Sequence, residues 1–265
     1  GATLVYANPE FSKKAPAPAK VAAARLRDVE MRDLRGLSLA PLPGTENEAR
    51  ALEKRGKNVK TFLGPAATEE SLREINSPRV LHLATHGFFL PEAAPSAAPA
   101  NGRSPSGAPK LRMNNPMHRS GLAFAGAETT LEAWSRGEVP PARNDGILTA
   151  EEVGGLKLGQ TWLVVLSACD TGSGEARAGE GVMGLRRGFV QAGAQNLLMT
   201  LWPISDQTTV DIMLDFYDAA LKSSNAPQAL ADTQRNWLVK LRKEKGLLAA
   251  VRLAGPFIMS SQGKP

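Results

Sequence analysis

Two apolar runs, each leading into a reactive residue and then a glycine, constrain the fold of this chain most strongly. The first, at residues 80–84, is followed closely by His86 and Gly87, and the second, at 163–168, by Cys169. Short runs rich in Val and Leu that are bounded by turn residues are typical of buried strands. Ligands of an open parallel sheet bind just beyond the carboxyl ends of its strands. We therefore predict that His86 and Cys169 lie at one edge of such a sheet.

The chain contains a single cysteine, which limits the roles of its thiol. It cannot form an internal disulfide or join a multi-cysteine metal site, so buried packing and nucleophilic chemistry remain. A nearby imidazole activates a thiol by taking its proton or by stabilising the thiolate. In that case His86 is the base and Cys169 the nucleophile, and the backbone amides of Cys169 and Gly87 are the natural oxyanion donors. The residues alone leave both readings open.

The other chemical motifs are weaker. We predict that His82, deep in the first run, is a packed core histidine, and that His118 lies in a solvated loop. Three histidines and one cysteine show no zinc-binding spacing, so no metal site is expected. The glycine-rich stretch at 172–174 is followed by Glu175 rather than by the lysine of a phosphate-binding loop.

Predicted strands and helices alternate along the chain, which favours an α/β fold with a mostly parallel sheet and helices on both faces. Strands are predicted at residues 2–7, 37–42, 59–63, 80–84, 121–125, 163–168, 196–201 and 257–259. Helices are predicted from Thr45 to about Arg55, after Thr68 and Thr149, at 179–193, from Ser205, and from Pro227 to about Lys243. Thr45 and Glu48, which follow a predicted turn at 43–44, have the spacing of a capping box.

Composition shifts predict the domain boundaries. Residues 1–36 are predicted to be an N-terminal strand with a Pro/Ala linker, and residues 37–262 a single domain. Residues 91–143 form a predicted irregular insertion, in which 129–144 show no regular pattern. Basic residues in a flexible insertion of this kind suggest sites of self-cleavage.

The overall composition suits a soluble globular protein better than a nucleic-acid or membrane protein. The formal charge is +6, but the basic residues are scattered and only 5% of the residues are aromatic, so no stacking platform for bases is evident. No apolar stretch approaches the roughly 20 residues that a membrane span needs. The chain start lacks a signal-like pattern and the single cysteine fits a reducing compartment, so we expect a cytoplasmic location.

Five blocks of sequence, taken in order, resemble the CHAT domain, a caspase-like peptidase module related to separase and often fused to tetratricopeptide repeats. The blocks are Leu-His-Leu-Ala-Thr-His-Gly-Phe-Phe, Leu-Ser-Ala-Cys-Asp-Thr-Gly, Gly-Glu-Gly-Val-Met-Gly-Leu, Phe-Val-Gln-Ala-Gly-Ala and Leu-Trp-Pro-Ile-Ser-Asp. The resemblance extends from about residue 40 to 260. The stretch between the His and Cys blocks is longer here than is usual in the family.

The resemblance implies a caspase-like three-layer sandwich and a cysteine endopeptidase with His86 as base and Cys169 as nucleophile. It implies no metal or organic cofactor. The partners would be a protein or peptide substrate and an upstream helical-repeat sensor region, with no nucleic acid and no membrane. Asp206 is similar to a metacaspase acid that lines the pocket for a basic P1 side chain, and Asp170 and Glu46 are secondary candidates for that pocket.

Four alternatives remain at this stage. Asp206 could serve only as a helix cap, since Asp is favoured at that place, and the P1 residue could be hydrophobic. The chain could be a catalytically inactive interaction module with Cys169 buried. A nucleic-acid-binding domain is a weaker alternative, and steeply salt-dependent binding would mark it.

Overall fold

The computed structural model describes residues 1–12, 39–89, 117, 120–135, 144–167, 169–170, 178–202 and 207–263. At residues 89, 134–135, 169–170 and 178–182 it describes only the course of the backbone. The strands are β1 Thr3–Pro9, β2 Val59–Gly64, β3 Val80–Ala84, β4 His86–Phe89, β5 Ser120–Ala123, β6 Ile147–Thr149, β7 Leu163–Leu166, β8 Cys169–Asp170, β9 Asn196–Thr200 and β10 Phe257–Ser261. The helices are α1 Pro43–Arg55, α2 Glu69–Arg73, α3 Ala127–Ser135, α4 Ala150–Val153, α5 Ala178–Gln191, α6 Gln207–Ser223, α7 Ala226–Lys245 and α8 Leu247–Ala254.

Six strands form the main sheet, in the order β10-β9-β7-β3-β1-β2. All neighbouring pairs are parallel except β9 and β10, which pair antiparallel at one edge. The predicted mostly parallel α/β sheet is therefore confirmed. β1 lies between β2 and β3, so the first strand of the chain and the strands after residue 39 belong to one sheet. The predicted boundary at residue 36 lies outside the described residues.

Alternate side chains of the central strands pack into two separate cores, one on each face of the sheet. In β3, Val80 and Ala84 face the core formed with α1, α6, α7 and α8. Leu81 and Leu83 face the core formed with α2, α4 and α5. Because successive strand residues point to opposite faces, strands with apolar residues on both faces require cover on both sides. The helices supply that cover, which confirms the predicted three-layer arrangement.

A second sheet, in the order β6-β5-β4-β8, begins where β3 and β7 of the main sheet end. β3 stops at Ala84, and after Thr85 the chain enters β4. The buried Thr85 hydroxyl donates a hydrogen bond to the Ala123 carbonyl of β5, which fixes this crossing. β7 stops at Leu166, and the chain enters β8 at residue 169. Two neighbouring strands of the main sheet thus each continue into neighbouring strands of the second sheet.

The start of α1 differs from the prediction. Residues 39–42 form no strand, and α1 begins at Pro43, within the predicted turn. Proline suits the first helical turn because it has no N–H to satisfy there. The predicted capping box is therefore wrong: Thr45 lies inside the first turn and its hydroxyl donates to the Leu42 carbonyl at 2.8 Å. The helices predicted after Thr68 and Thr149 are present, and each of these threonines caps its helix through a side-chain hydrogen bond.

Part of the predicted irregular insertion is regular structure. Residues 127–135 form α3, so the prediction of an irregular stretch over 129–144 is wrong for its first part. Leu131 of α3 packs in a small third core with Phe11, Leu39 and Phe88. Most of residues 91–119, and residues 136–143, lie outside the described ranges. In the part of the chain that the structure describes, no helix is both long and apolar enough to cross a lipid bilayer.

Candidate active site

His86 and Cys169 occupy paired positions in the second sheet. β4 and β8 run parallel, with His86 opposite Cys169 and Gly87 opposite Asp170. Each of the two is the first residue of its strand, directly after the crossing from the main sheet. Backbones of adjacent strands lie about 5 Å apart. The fold therefore brings together, at one edge of the main sheet, the two residues singled out by the sequence.

In the described part of the chain, the His86 imidazole makes a hydrogen bond and a ring contact. Its Nε2 lies 2.7 Å from the carbonyl oxygen of Ala40. A carbonyl oxygen only accepts, so Nε2 carries the proton and Nδ1 of the neutral ring has a lone pair. The Phe11 ring lies 5.1 Å from the imidazole, centroid to centroid, and covers part of it. This arrangement fixes both the orientation and the tautomer of the ring.

Burial shapes the protonation of His86, whose exposed fraction is only 6%. Desolvation lowers its pKa below the ordinary value of 6.5, and the hydrogen bond to the Ala40 carbonyl opposes this change. The imidazole is therefore neutral at neutral pH and able to accept a proton. That is the state that a general base needs before reaction.

The segment that supplies the Ala40 carbonyl is anchored by Asn8, at the end of β1. The Leu42 backbone amide donates to Asn8 Oδ1 at 2.8 Å, and the Asn8 backbone amide donates to the Thr45 hydroxyl at 2.9 Å. Asn8 has φ of 42°, a left-handed conformation that asparagine tolerates better than most residues. The sequence analysis missed Asn8. The Asn-Pro pair at the end of a strand was the signal that could have indicated a turn there.

The candidate pocket residue Glu46 lies on the first turn of α1, close to this anchor. Its carboxylate accepts hydrogen bonds from Arg50, at 2.6 and 2.9 Å, and from the Asn8 amide group at 3.2 Å. The bonds to Arg50 and Asn8 lower its pKa below the ordinary value. Glu46 is thus engaged within the protein, and its role in substrate binding stays a prediction.

The other predicted site residues are Gly87, Asp170 and Asp206. Gly87 lies in β4 between two paired strands, opposite Leu122 of β5 on one side and Asp170 of β8 on the other. The use of its amide as an oxyanion donor stays a prediction. Asp170 is described by its backbone pairing alone, and Asp206 lies outside the described residues.

His82 is a packed core histidine, as predicted. It is fully buried, its Nδ1 lies 2.8 Å from the Tyr217 hydroxyl oxygen, and its Nε2 lies 3.5 Å from Glu48 Oε1. Burial lowers its pKa to about 3, so the ring is neutral under ordinary conditions. His118, predicted to lie in a solvated loop, is outside the described residues.

A surface cleft of about 320 Å³ lies beside the His86 environment. Phe11 and Leu39 line it. The Phe11 ring contacts His86, and Leu39 precedes Ala40, whose carbonyl bonds to His86. Two acidic side chains, Glu10 and Glu128, also line the cleft. Two acidic side chains therefore line a cleft that shares Phe11 with the surroundings of the candidate base.

Metal chemistry finds no support among the described side chains. No group of three or more His, Cys, Asp or Glu residues in those ranges is arranged to hold an ion. Among the predicted site residues, the fold pairs the strand that begins with His86 and the strand that begins with Cys169.

The fold and site define an α/β sandwich in which a neutral histidine and the single cysteine begin paired strands. Comparison with known families agrees with this class: the CHAT domain model matches residues 1–250. The chain belongs to the CHAT domain family, as the resemblance of its motifs implied.

Among curated proteins, the chain is similar to tetratricopeptide repeat protein 28 of mouse and of human. The identities are 26% over 196 residues for the mouse protein and 27% over 206 residues for the human protein. Each alignment covers 74% of this chain but only 8% of the relative. The chain thus spans a small fraction of the length of these relatives.

Proposed function

We propose that this CHAT domain is a cysteine endopeptidase that cleaves protein substrates through a dyad of His86 and Cys169. The observation that carries the proposal is the strand register, in which the two residues lie directly opposite each other. Two further features support it. The Ala40 carbonyl leaves Nδ1 of His86 as the basic nitrogen, and burial keeps the imidazole neutral by lowering its pKa.

In the proposed reaction, Nδ1 of His86 takes the thiol proton of Cys169 as the sulfur attacks the scissile carbonyl carbon. A C–S bond forms and the carbonyl oxygen becomes an oxyanion, which backbone amides stabilise. The C–N bond then breaks, and the imidazolium gives its proton to the leaving amine. Water, deprotonated by His86, attacks the carbonyl carbon of the resulting thioester. The C–S bond then breaks, the carboxylic acid product leaves, and the thiolate takes its proton back from the imidazolium. The Ala40 carbonyl orients the base throughout, as the third group of a catalytic triad does.

We assign the substrates a basic residue, Arg or Lys, at the P1 position. The cleft beside His86 supports this assignment because Glu10 and Glu128 line it. Carboxylates that line a concave site attract a cationic side chain more strongly than a neutral one. Asp206 and Asp170 stay candidates for the same recognition on the resemblance alone.

A helical-repeat region is the proposed partner that regulates the domain. The mouse and human relatives are named for tetratricopeptide repeats, and this chain aligns with 8% of their length. A cytoplasmic location is proposed as well, because a nucleophilic thiol is kept reduced there.

Hydrolysis of fluorogenic peptides with Arg, Lys, Leu or Asp at P1 tests the proposed activity. Cys169→Ala and His86→Ala should each lower kcat/KM for the Arg peptide by at least about a hundredfold. His118→Ala is the matched histidine control and should retain wild-type rates. Activity that survives in Cys169→Ala, or no cleavage of any peptide by the wild type, would contradict the proposal. In the second case, retained binding of the peptides would favour the inactive interaction module.

Charge reversal tests the proposed specificity. Glu10→Lys and Glu128→Lys should each lower kcat/KM for Arg peptides by about tenfold, with little change for Leu peptides. Glu244→Lys, on the exposed end of α7, is the control for the change in net charge. An equal loss on Arg and Leu peptides would show that the cleft does not select the P1 side chain.

A further inference from the structure

Helix α8 presents apolar side chains on two opposite sides. Every residue of Leu247–Ala254 except Arg252 is apolar. On the inner side, packed in the core beside α6 and α7, lie Ala250, Leu253 and Ala254. On the outer side, the exposed fractions of Leu247, Leu248 and Val251 are 61%, 85% and 45%. A helix that is apolar all round is typical of a buried position, so the outer side chains indicate a surface that a partner covers.

The outer side chains Leu247, Leu248 and Val251 form one continuous surface, which we call the α8 face. Leu247 and Val251 are four residues apart and Leu248 and Val251 three, and helical residues at these spacings are neighbours on one side of the helix. Among the described residues, no other large apolar side chain is as exposed as Leu248. The same spacings are typical of the residues by which an amphipathic helix packs against a partner.

Hydrogen bonds hold the C-terminal end of α8 in place. Gln234 Nε2 on α7 donates to the Ala254 carbonyl at 2.9 Å, and Trp202 Nε1 donates to the Arg252 carbonyl at 3.0 Å. The buried inner side of the helix fixes it against the core. The α8 face is therefore preformed, and a preformed surface loses little conformational entropy when a partner binds.

Positive charge accompanies the α8 face along the chain. The last turn of α7 carries Lys243 and Lys245 just before it, and Arg252 follows Val251. These three cations are exposed, and within the described ranges none of them forms an ion pair. Glu244 is the one acidic residue of the sequence between positions 240 and 252. The charges therefore favour an anionic partner.

The N-terminus of α8 adds to this positive charge. Gly246 begins the helix without a side-chain hydrogen bond, and the first turn contains no acidic residue. The N–H groups of a first turn have no partner within the helix and carry partial positive charge. Carboxylates of a partner helix can therefore be bound by the backbone here as well as by the lysine and arginine side chains.

We propose that the α8 face docks an acidic amphipathic helix of a protein partner. The apolar stripe of that helix packs on the α8 face, and its carboxylates face Lys243, Lys245 and Arg252. This inference goes beyond the proposed peptidase activity, because it involves neither His86 nor Cys169.

Two other occupants fit the α8 face less well. In a symmetric contact, a second copy of this chain would bring the same cations together, and like charges repel. Binding of a helix to a lipid surface grows with the apolar area that it buries, and the outer side of α8 offers only Leu247, Leu248 and Val251.

Selection from a phage library of random peptides tests the proposal without a known partner. The peptides are about 16 residues long, which allows roughly four helical turns, and the folded wild-type protein is the bait. Enriched peptides should carry apolar residues at spacings of three and four, with more Asp and Glu than the unselected library. Fluorescence anisotropy then measures the Kd of a synthetic enriched peptide, which should rise with salt concentration.

Matched variants locate the binding surface. Leu248→Ser and Lys245→Glu should each raise the Kd of the enriched peptide by about tenfold, since loss of a central apolar contact or reversal of a facing charge has effects of this size. Leu221→Ser and Lys222→Glu are the controls, since they lie on α6 near the start of α7 rather than near its end. They should stay within about twofold of the wild type. All four side chains are exposed, so the unfolding temperatures and the peptidase rates should match those of the wild type.

The outcomes separate this inference from the proposed function. Acidic amphipathic peptides that bind Leu248→Ser and Lys245→Glu more weakly than the controls support docking, whatever the peptidase assays show. No enrichment, enrichment without an acidic excess, or equal affinity for Leu248→Ser and Leu221→Ser would overturn it. Binding to phosphatidylserine vesicles that Leu248→Ser abolishes would assign the α8 face to a lipid surface instead, and self-association abolished by Leu248→Ser would assign it to a second copy.

Discussion

Replacing Glu48 with Gln should change how the free energy of unfolding depends on pH. In the folded protein burial raises the pKa of Glu48 to about 7, from an ordinary value of 4.5. Between these two values the folded protein binds a proton that the unfolded chain has released. The stability contributed by this group is therefore complete below pH 4.5 and is lost as the pH rises to about 7.

His82 changes the free energy of unfolding in the opposite direction over much of the same pH range. Burial lowers its pKa from 6.5 to about 3, so the unfolded chain binds the proton first as the pH falls. Its contribution is present above pH 6.5 and is lost as the pH falls towards 3. Between pH 4.5 and 6.5 the effects of Glu48 and His82 on the slope cancel in the wild-type protein. Glu48→Gln removes only one of them.

The expected magnitude follows from the size of the shift. One unit of pKa difference corresponds to about 1.4 kcal/mol, so the stability of Glu48→Gln relative to wild type should rise by about 3 kcal/mol between pH 4.5 and 7. Urea unfolding of both proteins at four pH values across this range measures the difference. Glu53→Gln, on the exposed side of the same helix, should run parallel to the wild type. Parallel curves for Glu48→Gln would refute the reasoning that a buried, titrating carboxyl lies at this position.

Three further predictions concern the site. Since burial lowers the pKa of His86, the acid limb of the kcat/KM profile should have its midpoint below pH 6.5; a midpoint above 7 would show that another group sets it. Asn8→Gly keeps the left-handed conformation but removes the side-chain bonds to the 39–42 segment, so kcat should fall by about tenfold with little change in KM; an unchanged kcat would show that the Ala40 carbonyl needs no such anchor. Asp206→Ala should reduce hydrolysis after Arg and Lys far more than after Leu, and an equal loss on all peptides would remove Asp206 from the pocket.

The strands that carry the site could be predicted from the sequence because their signal is local. β3 and β7 are short apolar runs with core on both faces, so every position is apolar except His82, whose partners are buried with it. The capping box at Thr149 and Glu152 could be predicted for the same reason, since both hydrogen bonds lie within one turn.

The capping-box pattern at Thr45 and Glu48 predicted the wrong helix start because tertiary contacts determine where α1 begins. Pro43 starts the helix two residues early, and Glu48 is buried beside His82, which no local pattern reveals. α3 was missed because the core that Leu131 joins is built from segments distant in the sequence, which no local pattern reveals.

The orientation of the His86 imidazole could not be predicted from the sequence either. Ala40 and His86 are 46 residues apart, and the bond between them uses a backbone carbonyl that any residue could supply. The sequence therefore predicted which residue types meet at the sheet edge. It could not predict the tautomer of His86 or the segment that sets it.

A peptidyl electrophile with Arg at the reacting position, followed by intact mass measurement, tests the central claim most directly. The account predicts a single adduct, mapped to Cys169, that forms at least about a hundredfold faster in the wild type than in His86→Ala. An adduct that forms equally fast without the imidazole, or a thiol that stays unmodified in the folded wild-type protein, would contradict it.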